Sequence, residues 1–395
     1  MGRFRIWRHF DYVLFGVMLL LTAYGVLMVY SANLGSPDPR LHDLWRRQAV
    51  IGTVGMVLIL LLAVFPRDYQ WFGDFWWLAY LLAVLTLVLV LVFGQSEIGE
   101  VRGWLYLGSF HFQPAYLAMV LHPVSVGSIL SRRRRKRGSS STPLFGAPKT
   151  TLVTEQPPDR PDFVSYVLSG VMTLGLAALI FEQPDMATAA VFLAIWLVML
   201  FVSDVSPRYL VLTGLLGLGS LIPVWDLMAR YPYMRDRVMG FLSPGSDPNV
   251  KYQLDQAFIA IGSGGLWGKG LGQGTQSQLR YLPVRHTDFV FAVLAEELGF
   301  AGAVLLFVLY LLLFLRLLRI ILIAADSYGR LLVAGVLTMI LFQLVVNVGM
   351  NLGMLPVAGL PLPLISYAPA TQLVTAVGIG IAESVAMRHR RLEFQ

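Results

Sequence analysis

The residues best suited to chemistry stand at 286–288, where His-Thr-Asp closes a long polar segment and the apolar run FVFAVLAEELGF begins at once. A carboxylate at such a junction can cap the first turn of the coming helix. It can equally face a cavity as a proton acceptor, and one Asp288 can do both. Glu296 and Glu297 lie about two and a half turns deeper in the same run. A carboxylate among apolar residues is expensive in lipid, so each implies a partner, a wet cavity or a role. They do not form a hydrolase pair with Asp288. Glu297 sits ~13 Å further along a helix axis, whereas glycosidase carboxylates stand roughly 5 to 9.5 Å apart.

Among the cations of the polar segment before Asp288, Lys269, Arg280 and Arg285 are the candidates. Lys269 belongs to IGSGGLWGKGLGQG (261–274), which resembles a phosphate loop only at first sight. That loop needs Gly six residues before the Lys and Ser or Thr after it, and here Ser263 and Gly270 hold those places. The dinucleotide pattern fails at Trp267, where the third Gly belongs. Two readings remain: a tightly turned loop lying on the membrane surface, or a backbone whose N–H groups hold an anion beside Lys269. Asp185, in FEQPDMATA, lies in a short turn and is read as a helix cap. In RGWLYLGSFHFQP (102–114), Arg102 and Trp104 read as part of an interfacial aromatic belt, or Arg102 as the ligand of a lipid phosphate. The sequence contains no HExxH, His cluster or carboxylate-rich metal pattern. With no cysteine, it has no disulfide, thiolate site or cysteine nucleophile.

The elements that must position these groups are membrane helices. Of 395 residues 56% are hydrophobic and only 13% charged, against about 25% charged in soluble domains. Lipid must therefore be the solvent for much of the surface. The net charge of +7 does not signal nucleic acid, because the basic residues gather at the ends of apolar runs. Crossing ~30 Å of hydrocarbon takes about 20 residues. On that basis spans are expected near 11–30, 46–65, 73–93, 113–131, 163–181, 186–203, 208–227, 289–315, 330–350 and 371–387. Pro123 is expected to kink the fourth. The first run is long and lacks a small-residue cleavage site, so it is expected to remain as a helix.

The expected fold class is thus an all-α polytopic membrane protein forming a single domain over 1–395, with about ten transmembrane helices. Arginine in the short loops places both termini in the cytoplasm; Arg46, Arg47 and Arg102 fall on the other side against the trend. Two loops are long. Residues 132–162 form a basic cytoplasmic loop opening with RRRRKRG, read as a positive-inside anchor and flexible linker. Residues 228–288 form an extracytoplasmic loop rich in Gly, amides and charge before the eighth helix, the kind of loop that carries function. No internal repeat is evident, which disfavours an inverted-repeat transporter.

In order along the chain, RGWLYLGSFHFQP, QPDMATA, YQLDQAFIAIGSGGLWGKGLGQGTQ, LPVRHTDFVFAVLAEELG and NLGMLPVAGLPLPLISY resemble the SEDS family (shape, elongation, division and sporulation). IGSGG with GTQ is closer to its elongation branch than to its division branch. The resemblance implies a ten-helix peptidoglycan polymerase of the bacterial cytoplasmic membrane. It would transfer a glycan from undecaprenyl pyrophosphate to the next lipid II, with a class B penicillin-binding protein as partner and membrane lipids around it. The family's essential Asp, before an FxFA helix, matches Asp288. The same likeness puts Gln113, Arg102, Trp104, Lys269, Arg280, Arg285 and His286 at the substrate. It leaves open a divalent cation, Mg or Mn, as cofactor.

Four places depart from the family pattern. Tyr116 and Met119 stand where a Glu and a Lys are usual, Val284 where Glu is common, Ala368-Pro369-Ala370 where a Gly-rich turn is usual, and Ala187 in place of Gly. Two other functions remain open from sequence: a flippase for the lipid-linked precursor, and a non-catalytic scaffold that activates a transpeptidase.

Overall fold

A computed structural model describes residues 6–389, apart from 35, 37, 67, 95–102, 108–109, 132–160 and 244–246. The basic loop expected at 132–162 and Arg102 therefore lie essentially outside the described residues. Among those described, nine helices are long and apolar enough to cross a membrane. A tenth, Met186–Val202, is just as apolar with 17 residues. The spans are, in order, Tyr12–Asn33, Leu44–Val64, Trp76–Phe93, Pro114–Ser131, Phe163–Phe181, Met186–Val202, Pro207–Met228, Val290–Ile323, Ser327–Asn351 and Pro369–Met387. Each expected span is present. The helix Pro114–Ser131 continues through Pro123, whose ring lies against Gly335 of the ninth span.

The fourth, ninth and tenth spans are the most buried and form the centre of the bundle, while the third is largely exposed at its rim. Polar side chains concentrate in that centre, some of them paired. His122 Nε2 lies 2.9 Å from Thr173 Oγ1. Met119, where the family carries a cation, is fully buried and its sulfur accepts from Gln343 Nε2 at 3.4 Å. The seventh span stands away from the bundle, with only Met228 buried. It touches the fifth through a Tyr166–Tyr209 stack, 4.9 Å between ring centroids.

Both ends of the described chain meet at one end of the bundle. There Arg316 Nε donates to Asp11 Oδ2 at 2.8 Å, the Asp11 N–H donates to Glu383 Oε2 at 3.1 Å, and Arg388 Nη1 donates to the Ala63 carbonyl at 3.0 Å. The opposite end carries the connection between the seventh and eighth spans. It contains helices Pro232–Leu242 and Pro248–Ser263 and a glycine-rich coil. A short antiparallel hairpin, Leu105–Leu107 with Phe110–Phe112, adds a strand pair that the all-helical expectation lacked.

Candidate active site

The His286-Thr287-Asp288 segment is held from behind, one carbonyl at a time. The His286 carbonyl accepts from the Tyr367 N–H at 2.8 Å, and the Thr287 carbonyl from Ser366 Oγ at 2.5 Å. The Asp288 carbonyl accepts from both Asn347 Nδ2 at 3.1 Å and Asn351 Nδ2 at 3.0 Å. Asn347 and Asn351 are one turn apart on the ninth span and fully buried. Asn347 also binds the Leu360 carbonyl at 2.8 Å, and Asn351 Oδ1 accepts from the Ala292 N–H at 3.3 Å. Three carbonyls fixed in succession leave the Asp288 side chain as the free end of a rigid mount. Asp288 does not cap the helix: Phe289 holds the cap position, with no side-chain cap bond.

What the carboxylate faces is Arg237, from the loop helix Pro232–Leu242. A methyl built on Gly359 would stand 3.4 Å from Arg237 Nη1 and 3.9 Å from Asp288 Oδ2. The guanidinium and the carboxylate therefore flank one small gap, kept open by a residue with no side chain at φ +68°. Burial pushes the Asp288 carboxyl up to about 6, against the opposing pull of Arg237 and a hydrogen bond from Thr287. Asp185 lies within the same field. It caps the sixth span through the Thr188 N–H at 3.0 Å, and its other oxygen accepts from Gln113 Nε2 at 3.1 Å. Burial raises its carboxyl too; Thr188, Arg237 and Gln113 pull the other way. Tyr116, in place of the family's acid, is buried within electrostatic reach of both Asp185 and Asp288.

The remaining sequence candidates divide. Gln113 joins the site through Asp185. Lys269 does not: its ammonium donates to Glu296 Oε1 at 2.8 Å and to Thr275 Oγ1 at 2.8 Å, and Glu296 lies about 12 Å beyond Asp288 along the helix. Arg285 is buried, and its Nε donates to the Ala32 carbonyl at 2.7 Å at the end of the first span. Burial, then the neighbouring charge of Arg280, lower its pKa. Arg280 itself is exposed. Burial and the adjacent Arg285 bring His286 down to about 4, so it is a neutral ring at physiological pH, edge-on to Tyr367. Trp104 is half-buried beside the hairpin.

The glycine run is structural. The eighth span breaks at Gly299 (φ 66°, ψ −162°). The coil docks on that break: the N–H groups of Lys269 and Gly270 donate to the Glu296 and Glu297 carbonyls at 3.0 and 2.9 Å, and those of Phe300 and Ala301 to Gly265 and Leu266 at 2.9 and 3.0 Å. Glu296 also accepts from the Gln276 N–H at 3.0 Å, and Glu297 from the Ser31 hydroxyl. The two buried acids thus have the coil and the first span as partners. Of the two readings offered by the sequence, the tightly turned loop is the one found. The N–H groups of Lys269 and Gly270 are spent on the helix and that of Gly272 on Ser31 Oγ, and the coil's seat is the broken helix.

Arg237 was not singled out in the sequence, because nothing in RDR tells which arginine turns inward. Asn347 and Asn351 did carry a signal. Two amides one turn apart in an apolar span need a common polar target.

The molecule is thus a many-helix membrane bundle with a buried carboxylate and a guanidinium set across a small gap at one end. A family model described as the FtsW, RodA and SpoVE cell cycle proteins matches residues 11–391, and the chain belongs to that family. The peptidoglycan glycosyltransferase MrdB of Escherichia coli K12 is 35% identical over 388 residues, covering 97% of this chain and 95% of that one. Among solved structures, the rod shape determining protein RodA of Thermus thermophilus aligns at 30% identity with a TM-score of 0.66, over 98% of each chain. A chain from a structure of a peptidoglycan synthase complex, solved for its coordination of polymerization and crosslinking, aligns at 31% identity and a TM-score of 0.75, over 97% of this chain and 99% of that one. The protein is a multi-pass protein of the bacterial inner membrane.

Proposed function

We propose that this chain is a peptidoglycan glycosyltransferase that polymerises lipid II at the outer face of the membrane, with Asp288 as its general base. Family membership and the names of its relatives support the reaction class. The single observation that carries the residue assignment is a carboxylate mounted by three fixed carbonyls, raised to about 6, and facing Arg237 across a gap. A base with a pKa near working pH is well matched to its task.

In this reading Asp288 takes the proton of the acceptor's sugar hydroxyl as that oxygen attacks the anomeric carbon of the donor. The bond from that carbon to the pyrophosphate oxygen breaks, and the electron pair leaves with undecaprenyl pyrophosphate. Because the leaving group is already an anion of low basicity, no general acid is needed. Arg237 supplies positive charge where negative charge develops. A single displacement inverts the anomeric centre. Among the described residues no three His, Asp or Glu side chains gather as a metal site, and no step is assigned to a metal.

The partner in this reading is a class B penicillin-binding protein that crosslinks the emerging strand, in keeping with a related chain whose structure is that of a peptidoglycan synthase complex. The arginine pattern supports the Asp288 end facing outward. The test is polymerisation of lipid II by the purified chain, with and without its penicillin-binding partner. Asp288→Ala is expected to lose about 10²-fold or more in rate; unchanged polymerisation would remove the assignment. Polymer-free stimulation of the partner by wild type would mark the chain as a scaffold.

A further inference from the structure

At the Asp288 end of the bundle, the first two spans and the turn between them enclose a recess of about 420 Å³, within the roughly 300–1,000 Å³ of small-molecule sites. Tyr30 and Trp45 form one wall, their rings edge to face with centroids 5.7 Å apart. Arg46 lies 5.4 Å over the Trp45 ring and pairs with Asp43 at 3.2 Å. Leu34, His42 and Asn33 complete the lining, and Asn33 is 2% exposed. Its amide nitrogen donates to the Val29 carbonyl at 2.8 Å, while its amide oxygen has no partner. A buried acceptor left unpaired is costly and normally satisfied. The recess begins one residue beyond Ala32, the anchor for Arg285 Nε at 2.7 Å. The segment leading to Asp288 is thereby fastened to its rim.

We propose that this recess is a subsite for N-acetylated sugar units of the glycan strand, an inference that rests on the reading of the chain as a lipid II polymerase. The charge pattern selects the ligand. Arg46 is already answered by Asp43, and a phosphate headgroup would meet the Asp43 carboxylate. A neutral pyranose suits it better. Its C–H face lies on an aromatic ring, its hydroxyls donate to Asp43 and accept from Arg46, and an acetamido N–H matches the acceptor that Asn33 lacks a donor for. A polymerase that adds units in succession must hold its strand away from the reacting bond. A recess on different spans, tied to the catalytic segment by Arg285, meets that need.

The probe is a soluble, uncrosslinked tetrasaccharide of alternating N-acetylglucosamine and N-acetylmuramic acid, titrated onto the full chain in lipid nanodiscs and followed by saturation-transfer NMR. Wild type and Asp288→Asn are expected to bind it alike. Trp45→Ala is expected to bind about tenfold more weakly, with Trp45→Phe recovering part of the loss. Asp43→Asn, at an exposed side chain, is expected to weaken binding without risk to the fold. Equal binding by Trp45→Ala, Asp43→Asn and wild type would overturn the subsite. So would a phospholipid that co-purifies with wild type, is lost in Trp45→Ala, and accompanies no glycan binding. Glycan binding that follows Trp45 in a chain unable to polymerise lipid II would support the recess while sinking the polymerase reading; polymerisation without glycan binding would sink the recess alone.

Discussion

Asp288 shows how one residue type can serve two ends and how its surroundings choose between them. An Asp at the start of a helix ordinarily caps it. Here the neighbouring carbonyls are tied to Tyr367, Ser366, Asn347 and Asn351, which turns the carboxylate toward Arg237. The sequence singles out Asp288 by its place between a polar loop and an apolar run, and by its family resemblance. It also ranks Lys269 and Arg285 as cations by nearness in the chain, and nearness misleads because a coil can fold each onto a different helix. If Arg237 stabilises the leaving pyrophosphate, Arg237→Gln should cut kcat by about 10²- to 10³-fold. It should also move the acid limb of the pH–rate profile upward, because Arg237 pulls the Asp288 carboxyl down. Arg237→Lys should restore the limb before it restores the rate. A variant that lowered activity with the limb unmoved would show that Arg237 acts elsewhere.

At the scale of elements, the ten spans are legible because lipid demands long apolar stretches with internally satisfied backbones. The coil at 264–278 is not legible, because its role depends on a partner more than twenty residues away in sequence. Its glycines read as an anion loop or a tight turn until the break at Gly299 supplies their seat. A Cβ on Gly264 would stand 1.9 Å from the Ala295 carbonyl oxygen, whereas one on Gly262 would meet nothing within 4 Å. Gly264→Ala is therefore expected to lower the melting temperature by several degrees, roughly the effect of 1–3 kcal/mol of overpacking, and to lower activity with it. Gly262→Ala should leave both near wild type. Equal melting temperatures for the two variants would show that the coil does not dock as described. The hairpin at 105–112 was also missed in the sequence, since aromatic residues of an interfacial belt and of a short strand look alike.

For the molecule as a whole, the arrangement separates a charged end formed by both termini from an end that carries the site. Arginine counting predicts the first to be cytoplasmic. The absence of cysteine makes this simple to check. A single cysteine replacing the exposed Tyr281 should react with a membrane-impermeant maleimide in intact cells, and one appended after Gln395 only after permeabilisation. The reverse pattern would place Asp288 in the cytoplasm, away from any wall. The most direct measurement concerns Asp288 itself: the initial rate of lipid II polymerisation by the reconstituted chain from about pH 5 to pH 8, a range set to bracket a general base of this kind. Burial holds the carboxyl near 6, so the rate should rise through pH 6 as the base loses its proton and level off above it. A profile flat across that range would mean that no group titrating there takes the acceptor's proton, and Asp288 would lose its place at the centre of the chemistry.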